Sequence, residues 1–247
     1  MEMVREIAVI CPPGMWDPAS FAFAVEAARI QLREHFLPAW GDYLPNKGPL
    51  EVVAYADSTN LAPTSFYPIE IVRQIDGALG DHGGIALLDS AWGRSRPEST
   101  VLTHEILELA GDRFGDRWVR LPSGLVVALE VGDPVENDYY AITATIGGAT
   151  RDVWVSNFVQ PAWFGEGVGQ LDHMGLCKFP GDNRGYMIVQ EPDGSTINVF
   201  ASHAGQDYQA RVCAKVCEPR SRTAYRHDPR NPKIVITPGN GPKGWEP

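Results

Sequence analysis

Apolar residues in the first half of the chain follow two alternating rhythms: short unbroken runs that suit buried strands, and three- and four-residue steps that suit helices lying on a sheet. Residues 6–11 are one such run, broken by Pro12-Pro13-Gly14, and predict a strand. Asp17-Pro18 opens a helix over 19–36, in which Phe21, Val25, Ala28, Leu32 and Phe36 share a face, and Pro38 is expected to end it. Residues 49–56 predict the next strand, followed by a polar, proline-containing loop to Pro68. Residues 69–79 predict a short helix closed by Gly80, and 85–89 a further strand. A loop over 91–96 leads into a helix over 97–111. There Pro97 suits a first turn, Glu98 complements the positive helix end and Gly111 supplies a stop. At roughly 100° per residue, Leu102, Ile106, Leu109 and Ala110 fall on one face, and His104, Glu105 and Glu108 on another.

The second half changes rhythm. Residues 118–121 and 125–131 flank Pro122-Ser123-Gly124, residues 139–146 and 150–158 flank Gly147-Gly148-Ala149, and 186–189 and 196–200 bracket a turn centred on Asp193-Gly194. Each pair predicts a β-hairpin. A sheet with helices followed by hairpins makes the fold class α+β. Residues 1–227 are expected to form one domain, and 228–247, rich in Pro and Gly, an extended tail.

Charge narrows the range of partners. A formal net charge of -10 and the lack of a basic stripe argue against nucleic acid or an anionic membrane as the main partner. The longest apolar runs fall far short of the ~20 residues a membrane span needs. The first residues, Met1-Glu2-Met3-Val4-Arg5-Glu6, carry acid where a secretion signal carries base, which predicts a cytoplasmic protein or one released by lysis. Cys11, Cys177, Cys213 and Cys217 are too few and scattered for a disulfide framework, and the last two are spaced too widely for the usual zinc-binding pair.

The helix over 97–111 carries the candidate chemistry. Residues i and i+4 are neighbours on a helix, so His104 and Glu108 can grip one cation from the same side, while Glu105 flanks it as a general base for a bound water. The plainer reading is an amphipathic helix whose His and Glu residues face water. Zinc wants three protein ligands, and the turn Gly132-Asp133-Pro134-Val135-Glu136 offers Asp133 or Glu136 as the third. Glu130, expected on the strand face of Val126 and Ala128, is a further ligand candidate or a group orienting His104. His173 is weighed as a substrate contact against simple exposure in a Gly-rich loop, and Trp154, Phe158, Trp163 and Phe164 as core against a cleft wall. No nucleophile-elbow, phosphate-loop or dinucleotide motif occurs.

The run from Thr103 to Gly111 resembles the HExxH helix of the zincin metallopeptidases, and its spacing to Gly111 is similar to HExxHxxGxxH of the metzincin branch. The resemblance implies a zincin-like N-terminal sheet, built as strand, long helix, strands, edge strand and active helix. It implies His104 as a zinc ligand and Glu105 as the general base, with Glu108 where the second His is expected. Phe114 stands in the place of the third His and cannot bind metal, and Met174 is distantly similar to a Met-turn. Glu130 to Glu136 also looks like the E-V-x-D-x-V-E turn that accompanies such a helix in bacterial and phage-associated proteins. The function expected is a zinc-dependent hydrolase acting on peptide or protein. The alternative is a non-enzymatic virion or secretion-apparatus module on a zincin-like frame, with the tail as an arm for a neighbouring subunit or a second copy.

Overall fold

A computed structural model describes residues 5–44, 49–61, 68–72, 80–81, 84–86, 97–191 and 193–201. Strand β1 (Arg5–Ile10) is buried from Ile7 onward, and α1 (Pro18–Ile30) follows, capped by the Asp17 carboxylate, which accepts from the Ser20 N–H at 2.8 Å. The helix does not stop before Pro38. It widens into a π-helical stretch over Gln31–Phe36, where the Leu37 N–H reaches the Leu32 carbonyl, and continues as α2 (Leu37–Trp40). The five-residue spacing carries the chain past a residue that has no N–H to give, so the expected stop at Pro38 is a register change instead.

β2 (Leu50–Tyr55) returns parallel to β1, with Ile7 opposite Val52. β3 (Ile69–Val72) pairs with the other side of β1, then β4 (Gly80–Asp81) and β5 (Gly84–Ala86) extend the sheet to the order β2-β1-β3-β5-β4. All pairings are parallel except β4 with β5, which places an antiparallel strand at the edge. The helix expected at 69–79 is therefore corrected at its start: Ile69–Val72 is a strand. Ile-Glu-Ile-Val has the period of a strand and is β-branched at every position but Glu70, and Ile69 and Ile71 are both completely buried. Residues 73–79, the loop at 91–96 and the tail at 228–247 lie outside the described residues, as do Cys213 and Cys217.

Helix α3 (Glu98–Gly111) comes next. The hairpin β6 (Trp118–Arg120) with β7 (Val126–Ala128) joins the hairpin β10 (Tyr186–Gln190) with β11 (Thr196–Phe200) in an antiparallel sheet ordered β11-β10-β7-β6. The third hairpin, β8 (Tyr139–Ile146) with β9 (Ala149–Ser156), turns at Gly147-Gly148, whose positive φ of 56° and 83° suits the tight connection. The three hairpins form where their turn chemistry places them, and the class is α+β.

The core explains the position of α3. Leu102, Ile106, Leu107 and Leu109 are buried in the main cluster with Ile7, Val9 and Phe36. A smaller cluster, Phe23 and Ala27 against Ile142, Ala144, Val153 and Val155, seals α1 onto the β8–β9 hairpin. The plainer reading of α3, with its His and Glu residues facing water, does not hold for Glu105 and Glu108, which are nearly fully buried, and Thr103 and Leu107 are fully buried as well. No helix among the described residues is long and apolar enough to cross a membrane.

Candidate metal centre

Two fastenings hold α3 in place beside its reactive side chains. The Thr103 hydroxyl donates to the Ser99 carbonyl at 2.9 Å and accepts from the Ser156 N–H at 2.9 Å, while the Ser99 hydroxyl donates to the Trp154 carbonyl at 2.7 Å. The last two of these three bonds reach β9. At the far end, the Asp112 carboxylate accepts from the N–H groups of Gly115 at 3.1 Å and Arg117 at 2.8 Å, turning the chain out of the helix.

The acidic turn is equally constrained. Pro134 opens a 3-10 turn over Asp133–Val135, and the Val131 carbonyl accepts from the Val159 N–H at 2.7 Å. The Pro134 carbonyl accepts from the N–H groups of Arg184 and Gly185 at 2.6 and 2.9 Å. The Arg184 guanidinium meets Asp138 through Nε to Oδ2 at 2.6 Å and Nη2 to Oδ1 at 3.3 Å, and the Asn137 amide donates to the Arg184 carbonyl at 2.8 Å. A turn that sequence alone would leave as a solvated connection is locked between α3 and β10.

These elements bring His104, Glu108 and Asp133 together. His104 Nε2 stands 3.3 Å from Glu108 Oε1 and 3.2 Å from Asp133 Oδ1, and the Asp133 N–H donates to Glu108 Oε1 at 3.2 Å. One ligand atom from each lies within 4.8 Å of the other two. Nitrogen and oxygen atoms at tetrahedral angles around zinc, ~2.0–2.2 Å from the ion, lie ~3.3 Å from one another. The two His104 contacts have that spacing, so the donor set and its geometry fit a small divalent cation.

The electrostatics carry the mark of crowded buried carboxylates. Burial is the largest influence on His104 and works to lower its pKa, but Glu108, Asp133 and Glu105 together outweigh it and hold the imidazole well above its ordinary value. Burial, then the charge of Glu108, raises Asp133. Tyr186, at the start of β10, is pushed far up by burial, by the charges of Asp133, Glu108 and Glu136, and by a hydrogen bond to Asp133. Nothing local marks Tyr186 as a neighbour of the site, because an aromatic residue opening a strand reads as ordinary β-sheet.

Other expected site residues take different places. Glu105 is buried and near enough to His104 for its charge to raise the imidazole. Glu136 is half-buried, close enough for its charge to act on Asp133, and outside the convergent trio. Glu130 is buried but not on a strand face with Val126 and Ala128, since β7 ends at Ala128 and the Glu130 N–H turns back to the Ala128 carbonyl at 2.9 Å.

His173 is neither loosely exposed nor in the trio. It stacks on His35 at 4.6 Å and on Phe158 at 5.1 Å between ring centroids. Phe158, Trp163 and Phe164 are core, whereas Trp154 is exposed and meets Tyr139 edge to face. Met174 is partly exposed, and Phe114 lies under the Arg113 guanidinium.

Comparison of the chain with protein-family models, with curated proteins and with solved structures finds no match.

Proposed function

We propose that the protein is a zincin-like metal-dependent hydrolase of peptide or protein substrates, with His104, Glu108 and Asp133 holding the cation. The observation that carries the reading is the convergence of three donor groups from two elements, with His104 Nε2 at 3.3 and 3.2 Å from the two carboxylates, the separation of neighbouring zinc ligands. The chain order supports the frame: a strand, a long helix, further strands, an antiparallel edge strand and then the helix with His104. Two carboxylates and one imidazole make a harder donor set than two or three imidazoles, so zinc is the first candidate and a harder divalent ion the second.

A bound cation supplies Lewis-acid polarisation of a water and of the scissile carbonyl. Glu108 and Asp133 supply negative charge, and the contact between the Asp133 N–H and Glu108 Oε1 fixes the carboxylate's orientation. Glu105 follows His104 on the same helix, accepts the proton of the attacking water and passes it to the departing amine. Metal analysis of protein purified without added metal, beside His104→Ala, tests the reading. Stoichiometric metal in the first and little in the second is expected; near-zero metal in both would sink it.

A specific observation favours a second, non-enzymatic reading. The His104 side chain is only 13% exposed and that of Glu108 only 3%, and closed sites are the form taken by structural ions. In that reading the ion braces the 132–136 turn against α3 in an assembly module, and residues 228–247 bind a neighbouring subunit. Casein or peptide hydrolysis that depends on Glu105 discards it. A loss of assembly on deleting residues 228–247, with no hydrolysis in the full chain, favours it.

A further inference from the structure

We propose that Gly132 and Gly185 are positioning residues of this centre, glycine because the site's own groups fill the space where their side chains would stand. The inference rests on the metal reading above. A Cβ on Gly132 would lie 2.6 Å from His104 Nδ1, 2.7 Å from Cε1 and 3.1 Å from Cγ. Non-bonded carbon atoms prefer about 3.5–4.0 Å, so the imidazole rests directly on the Gly132 backbone along its Nδ1–Cε1 edge. Resting there, it turns the other nitrogen, Nε2, to Glu108 and Asp133.

The backbone of Gly132 shows that space, and not conformational freedom, is the reason for glycine. Its φ of -96° and ψ of -41° are open to every amino acid. A turn that needed only this conformation could carry any side chain. What the position excludes is a methyl group beneath the ring.

Gly185 repeats the arrangement from the other partner of the turn. It has no positive φ, yet a Cβ there would collide with the Asp133 carbonyl oxygen and lie 2.5 Å from Glu136 Cγ and 3.0 Å from Glu136 N. Its own N–H donates to the Pro134 carbonyl at 2.9 Å. The segment that presents Asp133 is thus set by two side-chain-free approaches, the imidazole on Gly132 and the approach to β10 on residues 133–136. A side chain at either glycine shifts donor atoms against one another, and a centre with ligand spacings near 3.3 Å tolerates little of that.

The test is titration of Zn2+ into wild type, Gly132→Ala and Gly185→Ala. The visible absorption of the Co2+ forms serves as a readout of ligand geometry, and metal-free unfolding is followed for Gly132→Ala alone and in a His104→Ala background. Gly132→Ala is expected to weaken Zn2+ binding by about 10–100-fold, the range typical of residues that orient metal ligands, and to alter the Co2+ bands. Gly185→Ala should act in the same direction. In the His104→Ala background, where no ring meets the methyl, Gly132→Ala should leave the unfolding midpoint unchanged.

Wild-type binding matched by Gly132→Ala with the same Co2+ spectrum overturns the proposal. So does destabilisation by Gly132→Ala that is equal with and without His104, because the turn and not the ring would then be at fault. Wild type that takes up neither ion overturns the metal reading itself, and the His104 dependence of the unfolding change then decides the packing claim.

Discussion

The backbone N–H of Asp133 donates to Glu108 Oε1 at 3.2 Å, so a carboxylate on α3 is tied to the turn that carries the next candidate ligand. Position 108 thereby has two duties, a charge for the cation and an acceptor for the turn. Glu108→Gln keeps an acceptor and loses the charge. Its expected result is a folded protein with much weaker metal binding, read by metal analysis after dialysis and by circular dichroism. Retained stoichiometric metal in Glu108→Gln would remove this residue from the ligand set.

Glu105→Gln should fail differently. The change removes a proton acceptor without removing a ligand, so metal content is expected to stay at the wild-type level while hydrolysis of casein or a quenched peptide library falls by ~10²–10⁴. Loss of metal in Glu105→Gln together with its retention in Glu108→Gln would reverse the two roles.

Thr103→Val isolates the fastening of α3 to β9. The variant keeps the shape of a fully buried side chain but leaves the buried Ser156 N–H without its 2.9 Å acceptor. An unsatisfied buried donor costs about 1–3 kcal/mol, and chemical denaturation should show a loss in that range. Thr103→Ser, which retains the hydroxyl, should lose less of it. Equal losses in the two variants would assign the effect to packing.

The His35–His173 stack predicts acid sensitivity away from the metal site. Burial lowers His35, against the opposing charge of Glu34, and burial and then the neighbouring His35 lower His173, against Asp172. The Tyr140 hydroxyl, which accepts from the Gln31 amide at 3.1 Å, lies 2.7 Å from His35 Nδ1, within hydrogen-bond distance of the ring.

The unfolded chain takes up protons on these rings near their ordinary pKa of about 6.5, and the folded protein does so only at lower pH. Between those values the unfolded state holds more protons, so stability falls as pH drops below about 6.5 and is unaffected by this pair above it. Urea unfolding between pH 7 and pH 5 should show the decline, with a shallower slope in His173→Gln. An unchanged slope in that variant removes the stack as its source.

Much of the fold was legible because it is written locally. Helix α3 announces itself through a three- and four-residue rhythm between Pro97 and Gly111, and the same periodicity puts His104 and Glu108 on one face whatever surrounds them. The hairpins follow from turn chemistry within a few residues, as at Gly147-Gly148. The α+β class follows from the succession of those elements.

What only the tertiary structure decided lies in contacts between distant segments. Ile69–Val72 has a strand's local period, but what made it a strand in place of the start of a helix is the side of β1 left open by β2, against which Ile69 and Ile71 are buried. Pro38 failed to end its helix because a π-helical register absorbed the missing N–H. Glu130, Asp133 and Glu136 are chemically similar and lie in one short acidic segment, and no periodicity ranks them. Only the approach of β10 and α3 to that segment sets Asp133 beside His104, a pairing across 29 residues of chain. The same closure explains the glycine at 132, whose backbone conformation asks for nothing special and whose neighbour, the His104 ring, leaves room for nothing larger.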